Sequence, residues 1–139
     1  MMTATHSMRI ATEKRVSVKN ITHLIKQALS DAGMQTGICL VSTPHTTCGL
    51  MVNEYETGLV HDIERLADEL LRPIAESGGF QHDRMDHNAQ AHLTSSILGR
   101  SLTVPVRDAD LHLGTWQSVF IVECDGPRTR TIDLLFMGE

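Results

Sequence analysis

The sequence predicts an α+β fold with a largely antiparallel β-sheet and about three helices, in a single domain over residues 1–139. Three observations predict this class. Segments with strand character outnumber segments with helical periodicity, most connections between them are short, and polar turns interrupt the apolar runs. This combination is typical of antiparallel sheets with helices packed on them. The length suffices for one hydrophobic core and is too small for two ordinary domains.

Apolar residues at helical spacing predict the three helices, and a glycine or proline marks the end of each. Asn20 precedes the first helix as a cap, and Gly33 follows it. Pro73 ends the second helix and Gly99 the third. The predicted helices cover residues 21–29, residues 59–71, and a segment from Asp86 or Asn88 to Leu98.

Runs of β-compatible residues between turn residues predict the strands. The clearest is Gly37–Ser42, a continuous apolar run between two breakers that is too short for a helix. Pro44 then breaks the chain, and a second inner strand begins at Gly49. The predicted strands cover residues 8–18 (as one strand or two short ones), 37–42, 49–52, 101–106, 116–124 and 129–137.

Composition narrows the functional classes. The net charge of -5 at pH 7 argues against nucleic-acid binding, which needs a basic face. No apolar run has the ~18 residues that cross a membrane, so no membrane contact is expected. The three cysteines, Cys39, Cys48 and Cys124, are odd in number and widely separated, which favours a reducing, cytoplasmic location. Nucleotide-binding glycine loops and hydrolase elbows are absent from the sequence.

Three histidines in two short polar segments are the strongest indication of a site. His45 lies in a turn between two inner strands, and His82 and His92 lie around the start of the third helix. Neutral imidazole is a common ligand of zinc-like metals and also suits proton transfer near pH 7. The spacing of ten residues between His82 and His92 matches none of the compact zinc motifs. Structural roles in a loop or in the core therefore stay open for all three, and His87 competes as a ligand.

Carboxylates next to apolar segments are further candidates. Asp62 lies at the edge of the apolar stripe of the second helix, so it requires a histidine, an arginine, a metal or water as its partner. Asn53 and Glu54 directly follow the second inner strand, and the ends of strands often contribute to sites.

Two arginines near the last turn suggest an anion. Arg128 and Arg130 are two residues apart, so they point to the same face of a strand, where two guanidinium groups suit a phosphate. Glu123 interrupts an apolar strand, and one of these arginines is expected to face it across the hairpin.

Two single residues have alternative roles. Trp116 opens a predicted strand, which allows either core packing or a binding role. Cys48 lies three residues from His45, which allows an activated thiolate, although a free cysteine is more often a small buried apolar residue.

The chain is similar to the YjbQ family in seven segments that occur in one order and span nearly its whole length. They are His45-Thr46-Thr47, Asn53-Glu54, His61-Asp62, His82-Asp83, Ala91-His92, Gly114-Thr115-Trp116-Gln117 and Arg128 to Arg130. The sequence departs from the family pattern at Cys48-Gly49, where many members have small residues such as alanine.

The resemblance implies a compact α+β domain that forms a homotrimer with sites near the subunit contacts. It also implies thiamine phosphate synthase activity, which joins a pyrimidine pyrophosphate to a thiazole phosphate with loss of pyrophosphate. The implied site consists of His45, His82 and His92 as metal ligands, Glu54, Asp62 and Arg130 as catalytic residues, and Asn53, Trp116, Glu123 and Arg128 as substrate-binding residues.

The chemistry leaves the reaction open. Three histidines favour a zinc-like divalent ion, whereas pyrophosphate usually binds with magnesium, which prefers oxygen ligands. Asp62 and Glu54 are the oxygen ligands available for a separate magnesium ion. Two alternatives follow: a metal-dependent phosphate-ester hydrolase, and a non-catalytic trimeric protein that binds a metal or a small anion. In each case the expected partner is a small phosphorylated molecule or ion.

Overall fold

The computed structural model describes all residues, 1–139, and contains eight strands, four α-helices and one 3-10 turn. The α+β class predicted from the sequence is confirmed. The strands are β1 (Met2–Ala11), β2 (Ser17–Asn20), β3 (Gly37–Ser42), β4 (Cys48–Asn53), β5 (Ser101–Arg107), β6 (Asp110–Leu111), β7 (Ser118–Glu123) and β8 (Thr129–Gly138). The helices are α1 (Thr22–Ala32), α2 (Thr57–Glu69), α3 (Arg72–Glu76) and α4 (Ala89–Leu98), with the 3-10 turn at Gln81–Arg84.

The strands form two sheets in which every neighbouring pair is antiparallel. The larger sheet has the order β1-β8-β3-β5-β6, and the smaller has the order β2-β7-β4. In the smaller sheet Cys48 of β4 pairs with Glu123 of β7, and Asn53 pairs with Ser118. The two ends of this strand pair therefore lie at opposite edges of the sheet, which separates the residues of the predicted site.

The core lies on both faces of the three-stranded sheet. Along β7, Val119 and Ile121 pack into the cluster shared with the larger sheet and α1. The alternate residues Phe120 and Val122 pack into a second cluster with α2 and α4. Because both faces of β7 are buried, its sequence is continuously apolar until Glu123. The fold thus has three layers, which are the larger sheet, the smaller sheet and the helices α2 and α4, while α1 packs on the side of the larger sheet.

Several boundaries differ from the sequence-based prediction, and the short strand β6 was not predicted. Residues 8–18 belong to two strands in different sheets, and β1 begins already at Met2. The predicted strand at Trp116 begins two residues later, at Ser118. Pro73 follows the end of α2 as predicted, but it also occupies the first turn of α3, where a proline needs no hydrogen-bonded amide. None of the helices combines the length and apolar character that a membrane crossing requires.

One buried hydroxyl on α4 lacks a partner. Thr94 is 2% exposed, and its Oγ1 makes no hydrogen bond. Thr94→Val keeps the shape of the side chain and removes the unsatisfied group, so we expect the free energy of unfolding to rise by about 1 kcal/mol in urea titrations. Ser95→Ala is the matched control, because the Ser95 hydroxyl donates to the Cys48 carbonyl and its loss should lower stability. Equal destabilisation by both variants would contradict the assignment.

Candidate functional site

A buried ion pair joins the ends of β7 and β8. Arg130 is 2% exposed and Glu123 is fully buried. Arg130 Nε donates to Glu123 Oε2 at 2.6 Å and Nη2 donates to Oε1 at 2.7 Å. Nη2 also donates to the Thr47 carbonyl and to the Thr47 hydroxyl. Burial alone would lower the pKa of Arg130, but the bond to Glu123 outweighs this and raises it. The guanidinium is therefore a permanent cation in a fixed orientation.

This ion pair lies under a polar cavity of about 610 Å³, which we name the arginine cavity. No large apolar side chain lines it. Its wall consists of Pro44, His45, Thr46, Thr47, Asn88, Asp125, Pro127, Arg128, Thr129 and Arg130. The Nη1 atom of Arg130 makes no hydrogen bond within the chain and is not sealed from solvent. The arginine thus has an unused donor at the cavity.

The loop before β4 adds backbone donors to the same wall. The amides of Thr46 and Thr47 form no hydrogen bond within the chain. The amide of His45 has only a long contact of 3.4 Å with the Thr43 hydroxyl. Successive free amides of this kind form concave anion sites in proteins. The loop therefore strengthens the donor character of the arginine cavity.

His45 acts as a hydrogen-bond acceptor inside the chain. Its Nε2 accepts from the Thr131 amide at 3.0 Å, so the neutral ring carries its proton on Nδ1. Burial lowers the pKa of His45, the Arg130 guanidinium lowers it further, and the Glu123 carboxylate offsets part of this. His45 is therefore neutral at pH 7 and offers a donor, while the lone pair on Nε2 is already used.

The lowered pKa of His45 predicts a pH dependence of stability. Because the folded-state pKa lies below the ordinary value of 6.5, this contribution is complete above 6.5 and is lost as the pH falls from there through the lower folded-state pKa. Protonation of Nε2 removes the bond to Thr131, so we expect the unfolding free energy to fall by about 1 kcal/mol as the solution is acidified from about pH 7. In His45→Gln this slope should be smaller. His6→Gln, at an exposed position on β1, should keep the native slope, and an unchanged slope in His45→Gln would contradict the expectation.

A chain of hydrogen bonds links the arginine cavity to the other two histidines. Arg128 Nη2 donates to Asp125 Oδ2 at 2.9 Å, and Asn88 Nδ2 donates to the same oxygen at 3.0 Å. Burial alone would raise the pKa of Asp125, but the bonds from Asn88 and Arg128 outweigh it and lower the pKa. Since the Asn88 amide nitrogen faces Asp125, its oxygen must accept from His82 Nε2 at 2.9 Å. The rings of His82 and His92 are in edge contact, with centroids 4.7 Å apart.

One copy of the chain does not assemble the predicted three-histidine metal site. His82 and His92 are adjacent, but the ring nitrogen of His45 is bound to Thr131. No group of three His, Cys, Asp or Glu side chains converges at metal-binding distance anywhere in residues 1–139. The residues of a single chain therefore do not fit such a centre, and the metal site stays a prediction.

Three other predicted site residues lie at the opposite edge of the small sheet. Asn53 ends β4 there, and Glu54 and Trp116 line a second cavity of about 480 Å³, which we name the tryptophan cavity. The alternative prediction that Trp116 packs in the core is wrong, because the residue is 71% exposed. The wall consists of Asn20, Glu54, Tyr55, Glu56, Thr57, Thr115, Trp116 and Ser118.

The structure limits the functions that are open to three further predicted residues, Asp62, Glu123 and Cys48. Asp62 is exposed on α2 and forms no ion pair within the chain, so it reaches water. Both oxygens of Glu123 are bound by Arg130, so Glu123 orients the arginine within the chain, and its substrate-binding role stays a prediction. Burial raises the pKa of Cys48, which keeps the thiol neutral and argues against a nucleophilic thiolate.

Sequence reasoning missed Asn88 and Asp125 as parts of the cavity wall. The sequence predicts Asp86 or Asn88 as the cap of the third helix. Asn88 occupies the N-cap position of α4, but its side chain makes no capping hydrogen bond, and Asp83 accepts from the Ala89 amide at 3.0 Å instead. The side chain of Asn88 is thereby available to Asp125 and His82. A usable signal existed for Asp125, which lies three residues before Arg128 at the start of the turn between two strands.

Comparisons with known proteins agree with this fold. A family model described as UPF0047 protein YjbQ-like matches residues 6–139. The UPF0047 protein of Archaeoglobus fulgidus is 42% identical over 125 residues, covering 90% of this chain and 94% of that protein. The UPF0047 protein YugU of Bacillus subtilis is 36% identical over 95% of this chain and 98% of its own length.

Solved structures are similar over almost every residue. The hypothetical protein APE1520 of Aeropyrum pernix has a TM-score of 0.91 at 42% identity and covers 98% of this chain and 99% of its own. A protein of Sulfolobus solfataricus, SSO2532, described as YbjQ-like and of unknown function, has a TM-score of 0.93 at 35% identity, with 99% of each chain covered. The match of the family model and the identity to these relatives show that the chain belongs to the YjbQ-like UPF0047 family.

Proposed function

We propose that the arginine cavity binds a small molecule through a phosphate or pyrophosphate group. The observation that carries this proposal is the buried Arg130, which Glu123 and Thr47 hold rigidly while its Nη1 stays unpaired. Preorganised donors of this kind suit phosphate oxygens, because no side-chain entropy is lost when the anion binds. The Nδ1–H of His45 and the free amides of Thr46 and Thr47 add neutral donors to the same wall.

The charges around the arginine cavity nearly cancel, so recognition of an anion depends on the directions of the hydrogen bonds. Glu123 neutralises Arg130, and Asp125 is paired with Arg128, so the wall has little net positive charge. Attraction of anions from a distance is therefore weak, and affinity depends on hydrogen-bond geometry at short range. Tetrahedral oxyanions satisfy several converging donors at once, whereas chloride does not. We therefore expect pyrophosphate and phosphate to bind more tightly than chloride.

The first test is calorimetric titration of the whole protein with inorganic pyrophosphate. Arg128→Gln removes one charged donor at an exposed position, so we expect the dissociation constant to rise about tenfold or more. Arg107→Gln is the matched control, since Arg107 is also exposed and lies at the end of β5, outside the cavity. Its affinity should equal that of the native chain. Equal affinities in all three proteins would refute the proposal.

A second variant tests Arg130 without leaving a buried charge behind. Replacing Arg130 alone would leave Glu123 unpaired, so both residues are changed together to methionine, which such buried pairs often tolerate. We expect this double variant to fold, as judged by circular dichroism, and to lose pyrophosphate binding. A folded double variant that binds pyrophosphate like the native chain would also refute the proposal.

We further propose, from the resemblance in sequence, that the bound group belongs to a thiamine phosphate synthase reaction. A cavity that holds pyrophosphate would stabilise the leaving group as the bond from the pyrimidine methylene carbon to oxygen breaks and the bond to the thiazole nitrogen forms. The test is incubation with both substrates, with chromatographic detection of thiamine phosphate and Arg128→Gln as the comparison. Product formation that Arg128→Gln reduces would support the reaction. Pyrophosphate binding without product would leave the binding proposal standing and exclude the synthase.

The histidine pair supports a second candidate function, metal binding between subunits. Asn88 fixes the proton of His82 on Nε2, so Nδ1 keeps a free lone pair beside His92. We propose that a homotrimer supplies a third ligand from a neighbouring copy, so that a zinc-like ion is held at the contact. Among the predicted site residues, Glu54 and Asp62 are carboxylates without a side-chain partner in one chain, and they would suit magnesium better.

Elemental analysis of the purified protein tests this second candidate. We expect a zinc-like metal at one ion or fewer per chain, lost in His92→Ala, and a molar mass of three chains by light scattering. His112→Ala is the control, because His112 is exposed at the end of β6. Metal content that His92→Ala leaves unchanged, or a monomeric protein, would exclude the shared metal site.

A further inference from the structure

Trp116 is presented to solvent by a turn that is fixed at both ends. The Gln117 amide donates to the Gly114 carbonyl at 3.0 Å, and the Gln117 side-chain oxygen accepts from the Gly114 amide at 2.9 Å. These reciprocal bonds set the backbone on both sides of Thr115 and Trp116. The only tryptophan of the chain is 71% exposed on this turn. The indole is therefore held on a fixed backbone and is accessible to a ligand.

A second aromatic ring in the tryptophan cavity is anchored to the core. Tyr55 contacts the buried ring of Phe120 edge-on, with centroids 5.4 Å apart and planes at 65°. Tyr55 itself is half exposed. The exposed part of its ring lines the cavity, and the other part contacts β7. The cavity therefore has two aromatic walls whose positions are set by the fold.

The charged groups of this cavity are all negative. Glu54 forms no ion pair or side-chain hydrogen bond within the chain. Glu56 accepts from the amides of Gly58 and Leu59 at the start of α2, and these bonds lower its pKa. Glu56 thus offsets the positive end of the helix, and no lysine or arginine lines the cavity. An anion is disfavoured there, in contrast to the arginine cavity.

We propose that the tryptophan cavity is a second ligand site, which takes a cationic aromatic ring such as a quaternary or protonated nitrogen heterocycle. The flat ring would stack on Trp116, since aromatic faces attract cations and other rings. The Glu54 carboxylate would balance the positive nitrogen, and the hydroxyls of Thr57 and Ser118 would accept hydrogen bonds from ring substituents. This inference does not depend on phosphate binding, because the two cavities share no residue.

The single tryptophan provides a direct readout of this site. Its indole N–H gives one resonance in a ¹H–¹⁵N correlation spectrum, which can be followed during titration of the whole protein with N-methylpyridinium. We expect a saturable shift of this resonance, and no saturable shift with benzoate, a flat anion of similar size. Glu54→Gln should weaken N-methylpyridinium binding at least threefold. Glu76→Gln is the matched control, since Glu76 is exposed on α3 and outside the cavity, and should bind as the native chain does.

A second measurement tests whether the indole ring of Trp116 is itself needed for binding. Equilibrium dialysis should show that Trp116→Ala no longer retains N-methylpyridinium, while Arg107→Gln, at a position outside both cavities, retains it fully. The proposal is overturned if benzoate and N-methylpyridinium shift the resonance alike, or if Glu54→Gln binds with native affinity. It is also overturned if Trp116 is shielded from iodide quenching in the free protein, because a neighbouring copy would then cover the cavity.

Discussion

Glu123→Ala is expected to lower the free energy of unfolding by about 3–5 kcal/mol, because Arg130 would remain buried without its partner. Both Glu123 oxygens accept hydrogen bonds from Arg130, so alanine removes the charge and two acceptors together. The bonds to Thr47 are retained and do not compensate a full charge. Urea denaturation followed by circular dichroism measures the effect.

A double variant separates the effect of the ion pair from that of the packing around it. Glu123→Met with Arg130→Met replaces both charges by apolar groups of similar length, so the double variant should be much more stable than Glu123→Ala. If Glu123→Ala and the double variant lose the same free energy of unfolding, the loss arises from packing. The explanation by an unpaired buried charge is then wrong. The comparison also shows whether the pair exists for stability or for orienting Arg130 at the cavity.

Phe120→Ala is the second substitution with a large expected effect, about 3–5 kcal/mol of unfolding free energy. Phe120 is fully buried in the middle of β7 and packs in the cluster between the small sheet and the helices α2 and α4. Alanine leaves a cavity that Ile63 and Ala91 cannot fill without moving their helices. Thermal and urea unfolding both report the loss.

Phe120→Leu provides the matched control. It nearly conserves apolar volume and should cost less than about 1.5 kcal/mol. It still removes the edge contact with Tyr55, so N-methylpyridinium binding should weaken although the protein stays folded. A leucine variant with native affinity would show that Tyr55 needs no support from the core. A leucine variant as unstable as the alanine variant would contradict the volume argument.

The strand that the sequence predicts best is a continuous apolar run between chain-breaking residues. Gly37–Ser42 was predicted with its observed boundaries, since its apolar run lies between two breakers. The first half of β1 was missed. Residues from Thr3 to Ser7 are small, polar and largely exposed, and only the ten-residue pairing with β8 makes them a strand. Such a tertiary contact leaves no periodic signal in the local sequence.

The site was predictable where its residues are close in sequence. Glu123 and the two arginines flank one turn, which is enough to predict that Arg128 or Arg130 faces Glu123, and the structure selects Arg130. The expected hairpin is wrong, because β7 and β8 belong to different sheets and the ion pair joins the two sheets. Asn88 and Asp125 are 37 residues apart and meet only through the packing of α4 beside the small sheet. The spacing of three residues links Asp125 to Arg128, but nothing in the sequence alone links Asn88 to Asp125.

The paired strands β4 and β7 form a rigid spacer that holds the arginine cavity and the tryptophan cavity apart. This separation limits any reaction that would use both cavities. From Cys48 to Asn53 the chain advances five residues, roughly 17 Å in extended conformation. Two small molecules seated at opposite ends of this spacer cannot touch each other within one copy. Chemistry between them therefore requires neighbouring copies whose unlike ends meet, and mixed assemblies of chains disabled at opposite ends should then regain part of the lost turnover.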